Sequence, residues 1–337
     1  MAKMNSLPSI TQEGASHFIP EVRTVNIKLQ SIGTSIELIY PSFGSETRFP
    51  AGEAYEQLES NANDLSNFAL NHQEFRKSLS QGKNCNRNFL QLAKAEIKTV
   101  YSLFPTVSAS RIQICMAAWL AALCDIDDLI ESICAKDAAA AVSRAISSLE
   151  DEGVTPAAKD FFTTVAGALK GLAEEQNFRQ GLLAEDFGQY MRIRAYTIGI
   201  FPSLSLLRSE FRPQGDLNKL LAIQVYLNIL LGLQNDLLGL EKDLQSGENM
   251  NAVIVLMKTM GKGSQKVPPI TVLQAVPQAV AYYNNTFYHL LELLQSIFHA
   301  ENGLDLAGKF VANAQLRLAE THLQWCLTAK RYQVSLS

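Results

Sequence analysis

An all-α fold is what this sequence predicts, and three observations carry the prediction. Helical periodicity recurs from about residue 51 onward, interrupted by short breakers. Strand-like alternation shows only weakly, at Val25, Ile27 and Leu29. The composition is 47% hydrophobic against 18% charged, which suits a large buried core.

Residues 1–50, rich in Ser, Thr, Pro and Gly, read as an irregular N-terminal segment, a tail or one short extended piece. Residues 51–337 read as one helical domain. The full 337 residues could hold two or three domains, but no linker rich in Gly, Pro or Ser divides them. Helical patterns cover 51–71, 86–103, 107–135, 137–150, 155–175, 178–208, 216–250, 270–300 and 303–332. The breakers are Phe104-Pro105, Asp151-Glu152-Gly153, Phe211 to Gly215, and Gly261 to Pro269. Long helices with short connections, several of them apolar on most faces, predict a bundle whose interior can hold a ligand.

Charge and cysteine usage exclude some functions. A net charge of -4 with no block of Lys and Arg gives no basis for nucleic-acid binding. Five cysteines are an odd number without metal-type spacing, as expected of reduced thiols in an intracellular protein. The N-terminus shows no apolar signal core, and no uninterrupted apolar stretch is read as long enough to span a bilayer. A soluble cytoplasmic protein without stable membrane insertion is the expectation.

Two stretches carry candidate chemistry. Within 216–250, Asp216 is positioned as an N-cap, and the run from Leu220 to Leu233 is apolar nearly all round and expected to be buried. The segment Asn235-Asp236-Leu237-Leu238-Gly239-Leu240-Glu241-Lys242-Asp243 follows. Asn235, Gly239 and Asp243 stand at i, i+4 and i+8, on one helical face. Buried polar groups need partners, and a divalent cation is one such partner. Solvent at a helix end is the other, with about even weight for this stretch alone.

In the predicted helix 107–135, Asp125, Asp127, Asp128 and Glu131 place four acids in seven residues after an apolar run. Asp127 and Glu131 share a face, where like charges destabilise a bare helix. Mg²⁺ takes carboxylate oxygens and shares its shell with phosphate, so it would compensate them. Emergence into solvent at Asp125 is the plainer alternative. Together, two acidic faces on apolar helices would hold Mg²⁺ on a diphosphate at the mouth of an apolar cavity.

The residues carry a family resemblance. Asp127-Asp128-x-x-Glu131 and Asn235-Asp236-x-x-Gly239-x-x-Lys242-Asp243 resemble the two metal-binding motifs of class I terpene synthases of the fungal and bacterial single-domain type. Tyr190-x-x-x-Arg194-x-x-Thr197 is similar to the stretch with the family's diphosphate-sensing arginine. Met250-Asn251-Ala252-Val253, and Trp325 followed by Arg331-Tyr332, also fit the pattern. The resemblance implies a class I terpenoid synthase-like bundle around an apolar cavity, with three Mg²⁺ ions and a prenyl diphosphate substrate.

It further implies Asp127, with Glu131, as Mg²⁺ ligands and Asp128 as hydrogen-bond partner to the closing cationic residues. Asn235 and Asp243 would hold another Mg²⁺, with Gly239 at the middle ligand position. Arg194, Lys242, Arg331 and the Tyr332 hydroxyl would bind diphosphate oxygens. Trp119 and Trp325 would face the carbocation, with core packing of equal weight.

Two departures stand out. Gly239 replaces the usual Ser or Thr, so water would complete that ion, and Leu123-Cys124 replace a frequent Phe. A sesquiterpene cyclase using farnesyl diphosphate is favoured over a diterpene synthase using geranylgeranyl diphosphate. A chain-elongating prenyltransferase or a non-catalytic helical scaffold ranks lower. The oligomeric state stays open between monomer and homodimer.

Overall fold

The structure is a computed structural model that describes residues 20–43, 70, 72–74, 77, 88–105, 107, 110–130, 159–184, 186–259, 271–299, 303–329 and 335–336; at 110, 111, 114, 125–130 and 335–336 it describes the backbone only. Among the described residues the chain runs β1 (Glu21–Leu29), β2 (Thr34–Ser42), α1 (Phe89–Leu103), α2 (Ser110–Ile130) and α3 (Lys159–Arg179). It continues with α4 (Phe187–Thr197), α5 (Phe201–Phe211), α6 (Leu217–Ser246), α7 (Ala252–Thr259), α8 (Val272–His299), α9 (Leu306–Thr328) and β3 (Ser335–Leu336). The expected patterns at 51–71 and 137–150 lie almost wholly outside the described residues.

Helix α6 sits at the centre because its composition leaves it nowhere else to go. Leu220, Ile223, Leu227, Leu230, Leu231, Leu233 and Leu237 are completely buried, and each contributes about 1.5–3 kcal/mol by leaving water. Burial is not all round, however. Leu221 and Val225 stay 46% and 48% exposed on the outer face. By length and composition α6 could also cross a membrane, contrary to the expectation that no stretch would, but 67% of that window is buried inside the bundle. Asp216 takes the N-cap position without a side-chain cap bond. Gly247, at φ 72°, ends the helix in the left-handed conformation that glycine adopts without a Cβ penalty.

α6 and α9 run side by side in the same direction. At their starts, Asp305 donates its N–H to the Gln214 carbonyl and its carboxylate accepts from the Gln214 N–H. Farther along, the Gln234 amide donates to the Ala319 carbonyl at 2.9 Å, and its carbonyl pairs with His322 Nδ1 at 2.7 Å. Gln234 also donates to the Tyr283 hydroxyl of α8, so one buried amide joins three helices.

Three expectations are corrected. The pattern over 178–208 is not one helix: Ile198-Gly199-Ile200 breaks it into α4 and α5. Gly199 has φ +73° there, and a Cβ on it would lie 2.2 Å from Leu123 Cδ2, so only glycine fits. Next, residues 252–259 form a helix that the pattern missed. Last, the N-terminal segment is not irregular throughout. β1 and β2 form an antiparallel hairpin from Glu21↔Ser42 to Leu29↔Thr34.

The hairpin buries Ile27, Leu29, Ile36 and Leu38 while Lys28 and Glu37 face outward. Gly33 takes a positive φ in its turn. Its other edge pairs with β3, giving sheet order β2-β1-β3. Asn284 of α8 accepts from the Ile39 N–H, and the Arg317 guanidinium of α9 lies 4.5 Å from the centre of the Phe43 ring.

Candidate active site

The second motif folds around Asp236, a residue to which the sequence assigned no role. It is 1% exposed. Its carboxylate accepts from Arg194 Nε at 3.0 Å and Nη2 at 2.9 Å, from the Tyr190 hydroxyl, and from the Ala252 N–H at 3.1 Å. Tyr190 and Arg194 stand one turn apart on α4, so both reach the same carboxylate. Burial raises the Asp236 carboxyl to about 6, against the opposing pull of Arg194, the Tyr190 hydroxyl and the Ala252 N–H. The Tyr190 hydroxyl is pushed well up by burial and by the neighbouring Asp236 charge.

Two further residues shape the anchor. A Cβ on Gly232 would lie 2.9 Å from Arg194 Cγ. Glycine in the middle of this helix costs roughly 1 kcal/mol relative to Ala, and here it opens the groove that Arg194 fills. Asn251 donates to the Asp236 carbonyl at 2.7 Å and to Asp243 Oδ2 at 2.9 Å, so it locks the end of α6 against α7. Glu248 helps from the side: its carboxylate accepts from Arg179 of α3 and from the Asn249 and Met250 N–H groups. Burial pushes that carboxyl up, but these contacts outweigh it and hold it below its ordinary value.

The expected ligands can be placed against this frame. Asn235 and Asp243 are part-buried, and Gly239 between them is buried. Burial raises the Asp243 carboxyl, while Asn251, Lys242 and Arg194 draw it only partly back. An added cation would favour its ionised form, and oxygen donors from Asn235 and Asp243 suit a hard ion, so the residues fit Mg²⁺. Eight residues of helix separate their Cα atoms by about 12 Å along the axis, with Gly239 midway between them. Lys242 is exposed beside them.

Asp127 and Asp128 lie in the last turn of α2, where only the backbone is described; Glu131, Arg331 and Tyr332 lie outside the described residues. Among the described residues no group of three or more His, Cys, Asp or Glu side chains forms a metal centre. Cys115, Cys124 and Cys326 are not joined to one another by a disulfide.

Trp119 is 4% exposed, and its indole N–H donates to the Gly199 carbonyl at 2.6 Å. It braces the α4–α5 break. Trp325 is partly buried and packs beside the His322 ring. Sequence reasoning passed over Asp236, Gly232 and the amides Gln224, Asn228 and Gln315. The signal that singled out Asn235, a polar residue in an apolar helix, applies equally to them.

A bundle with a buried acid-anchored arginine beside an Asn/Asp face has the architecture of the class I terpenoid synthases. The solved structures agree in fold. Linalool/nerolidol synthase from Streptomyces clavuligerus, in complex with 2-fluorogeranyl diphosphate, matches at TM-score 0.62 and 15% identity over 80% of this chain and 95% of that one. 2-Methylisoborneol synthase from Streptomyces coelicolor A3(2), in complex with Mg²⁺ and geranyl-S-thiolodiphosphate, matches at TM-score 0.58 and 14% identity, over 80% and 93%. An a-eudesmol synthase matches at TM-score 0.59 and 14% identity, over 79% and 95%. No curated protein sequence matches the chain.

Residues 106–267 match the family described as terpene synthase family 2, C-terminal metal binding, a span that includes both acidic motifs and Arg194. That match covers a little under half of the chain, and the solved structures share its fold.

Proposed function

We propose that the enzyme is a Mg²⁺-dependent cyclase that ionises farnesyl diphosphate and closes the resulting cation into a sesquiterpene. The observation that carries this is the Arg194–Asp236 pair. Arg194 is oriented by a buried carboxylate before any substrate arrives, and its side chain keeps 13% exposure. Pre-organised donors of this kind act on developing charge without reorganising during the reaction.

Asn235 and Asp243, with Asp127 on α2 and Glu131, would hold three Mg²⁺ ions. When bound, the ions supply Lewis-acid neutralisation of the diphosphate leaving group. Arg194 and Lys242, joined by Arg331 and Tyr332, bind diphosphate oxygens, and Asp128 receives the closing cationic groups. An apolar interior would protect a cation from unplanned quenching. Trp325 offers a ring face to that cation.

The test is incubation with farnesyl, geranylgeranyl and geranyl diphosphates, with and without Mg²⁺, followed by analysis of volatile products and released diphosphate. Turnover of farnesyl diphosphate to a cyclic C15 product only with Mg²⁺ supports the proposal. A longer diphosphate as product, or exclusive use of geranylgeranyl diphosphate, overturns it. Asp127→Ala and Asn235→Ala should each remove turnover while leaving the far-ultraviolet circular dichroism intact.

A further inference from the structure

Arg179 lies outside both acidic motifs, yet it grips the loop that closes on the second one. It is the last residue of α3, where a cation meets the negative end of the helix dipole. Gly181, at φ 71°, ends that helix in the left-handed conformation, and the Leu182 N–H donates back to the Asn177 carbonyl. The arginine is therefore presented from a fixed frame. Its Nε and Nη2 donate to Glu175 one turn earlier, and its Nη1 donates to Glu248, 69 residues away.

Glu248 in turn ties residues 247–251 to Asp243 at both ends of the loop. Its N–H donates to the Asp243 carbonyl at 2.9 Å. Its carboxylate gathers the Asn249 and Met250 N–H groups at 2.7 and 2.8 Å. That curl delivers Asn251, completely buried, whose amide donates to the Asp236 carbonyl and to Asp243 Oδ2. The amide oxygen of Asn251 accepts from the Val253 N–H, so both ends of the side chain are engaged. Among the described residues Asp243 Oδ1 accepts no hydrogen bond, so one oxygen is held and the other is presented.

Metal ligands are oriented by the groups behind them, and loss of such a group costs metal affinity. We propose that Arg179 is a positioning residue for the second-motif metal, acting through Glu248 and Asn251 on the Asp243 carboxylate. The inference rests on the reading of Asn235 and Asp243 as Mg²⁺ ligands and adds a control on their affinity. Glu248 alone could draw in the two N–H groups, but Arg179 fixes where on the bundle that curl sits. An ion pair that only joined two helices would add stability and leave metal binding alone. Here the path from the pair ends on the ligand itself.

The experiment is titration of the full chain with Mn²⁺ in the presence of inorganic diphosphate, followed by electron paramagnetic resonance of the free ion. Arg179→Met and Glu248→Gln should each raise the Mn²⁺ concentration for half-saturation about threefold, the worth of a part-exposed ion pair. The double variant should lose no more than the worse single one, since both residues lie on one path. Arg179→Lys, which keeps the charge without the fork, should fall between wild type and Arg179→Met. In turnover of farnesyl diphosphate the Mg²⁺ requirement should rise in parallel, with a smaller change in the saturated rate. Unchanged Mn²⁺ binding in the single variants, or losses that add in the double, overturns the inference and leaves the pair a structural role. Glu248→Gln keeps an acceptor for the two N–H groups, so it decides the matter even where Arg179→Met does not fold. Absence of Mn²⁺ binding to wild-type protein overturns the metal reading of the second motif itself, and this inference with it.

Discussion

Helix α6 carries two buried polar stations that solve the same problem in opposite ways. At Asp236 the carboxylate is saturated by Arg194, Tyr190 and the Ala252 N–H. At Asn228, eight residues earlier, a fully buried amide oxygen has no protein partner. Saturation by the protein fixes the geometry of the carboxylate, whereas the amide oxygen is held by nothing in the chain.

The strongest way to break that contrast is to empty each station in turn. Asp236→Leu removes the buried carboxylate that pairs with Arg194, which has no means of losing its own charge, so it should cost about 3–5 kcal/mol in urea unfolding and abolish turnover. Arg194→Met should abolish turnover as well but destabilise less, because Asp236 can neutralise itself by taking a proton. Asn228→Leu should change stability by under about 1 kcal/mol, since the one hydrogen bond it removes, to the Gln224 carbonyl, is offset by removal of a buried amide oxygen that lacks a partner. Equal losses for Asp236→Leu and Asn228→Leu would erase the distinction.

A pH titration sharpens the rigid station next. Asp236 ionises near 6, so Arg194 loses its anionic anchor as the pH falls through that value. Activity should decline there, with an inflection absent from Asp236→Asn. Stability carries the opposite sign. The folded carboxyl binds a proton more tightly than its unfolded counterpart, ordinarily near 3.8. This group therefore favours folding below about 4 and loses that advantage as pH rises through 6. Thermal melts of wild type against Asp236→Asn should show the variant gaining relative stability over that interval.

Smaller effects follow from the two glycines on this face. Gly232→Ala would press a methyl onto Arg194 Cγ, which the ion pair holds in place. The clash should cost about 1–3 kcal/mol, offset in part by helix propensity, and should raise KM for the diphosphate several-fold with less change in kcat. Gly239→Ser restores a hydroxyl between Asn235 and Asp243. It should lower the Mg²⁺ concentration for half-maximal rate without altering the product, and an unchanged or higher requirement would assign Gly239 to close packing.

Much of this was legible before any coordinates. The fold class followed from helical periodicity, and the apolar run from Leu220 to Leu233 marked α6 as central, because its burial alone outweighs any other placement. Helical spacing put Asn235 and Asp243 on one face, because a helix turns a fixed angle per residue; Arg194 was singled out by the family resemblance. Asp236 was passed over for the same reason in reverse: its spacing puts it off the Asn235 face, and its meaning depends on what α4 brings to it. The hairpin was half seen, because β1 shows only a weak alternation and its partner is chosen by chain reversal at Gly33 and by packing onto α8 and α9.

Tertiary structure decided the rest. Gly199 and Pro202 are signals for the break at Ile198 to Ile200 that the helical pattern over 178–208 overrode, and the structure adds the close approach of Leu123 from α2 to Gly199. Spacing could not say whether α6 and α9 run parallel or antiparallel. The bonds at Gln214 and Gln234 fix that. Intrahelical periodicity is set by backbone geometry that every residue carries in its own torsions. Which helices meet, and at what register, is set by contacts between residues far apart in the chain, and a single sequence does not display them.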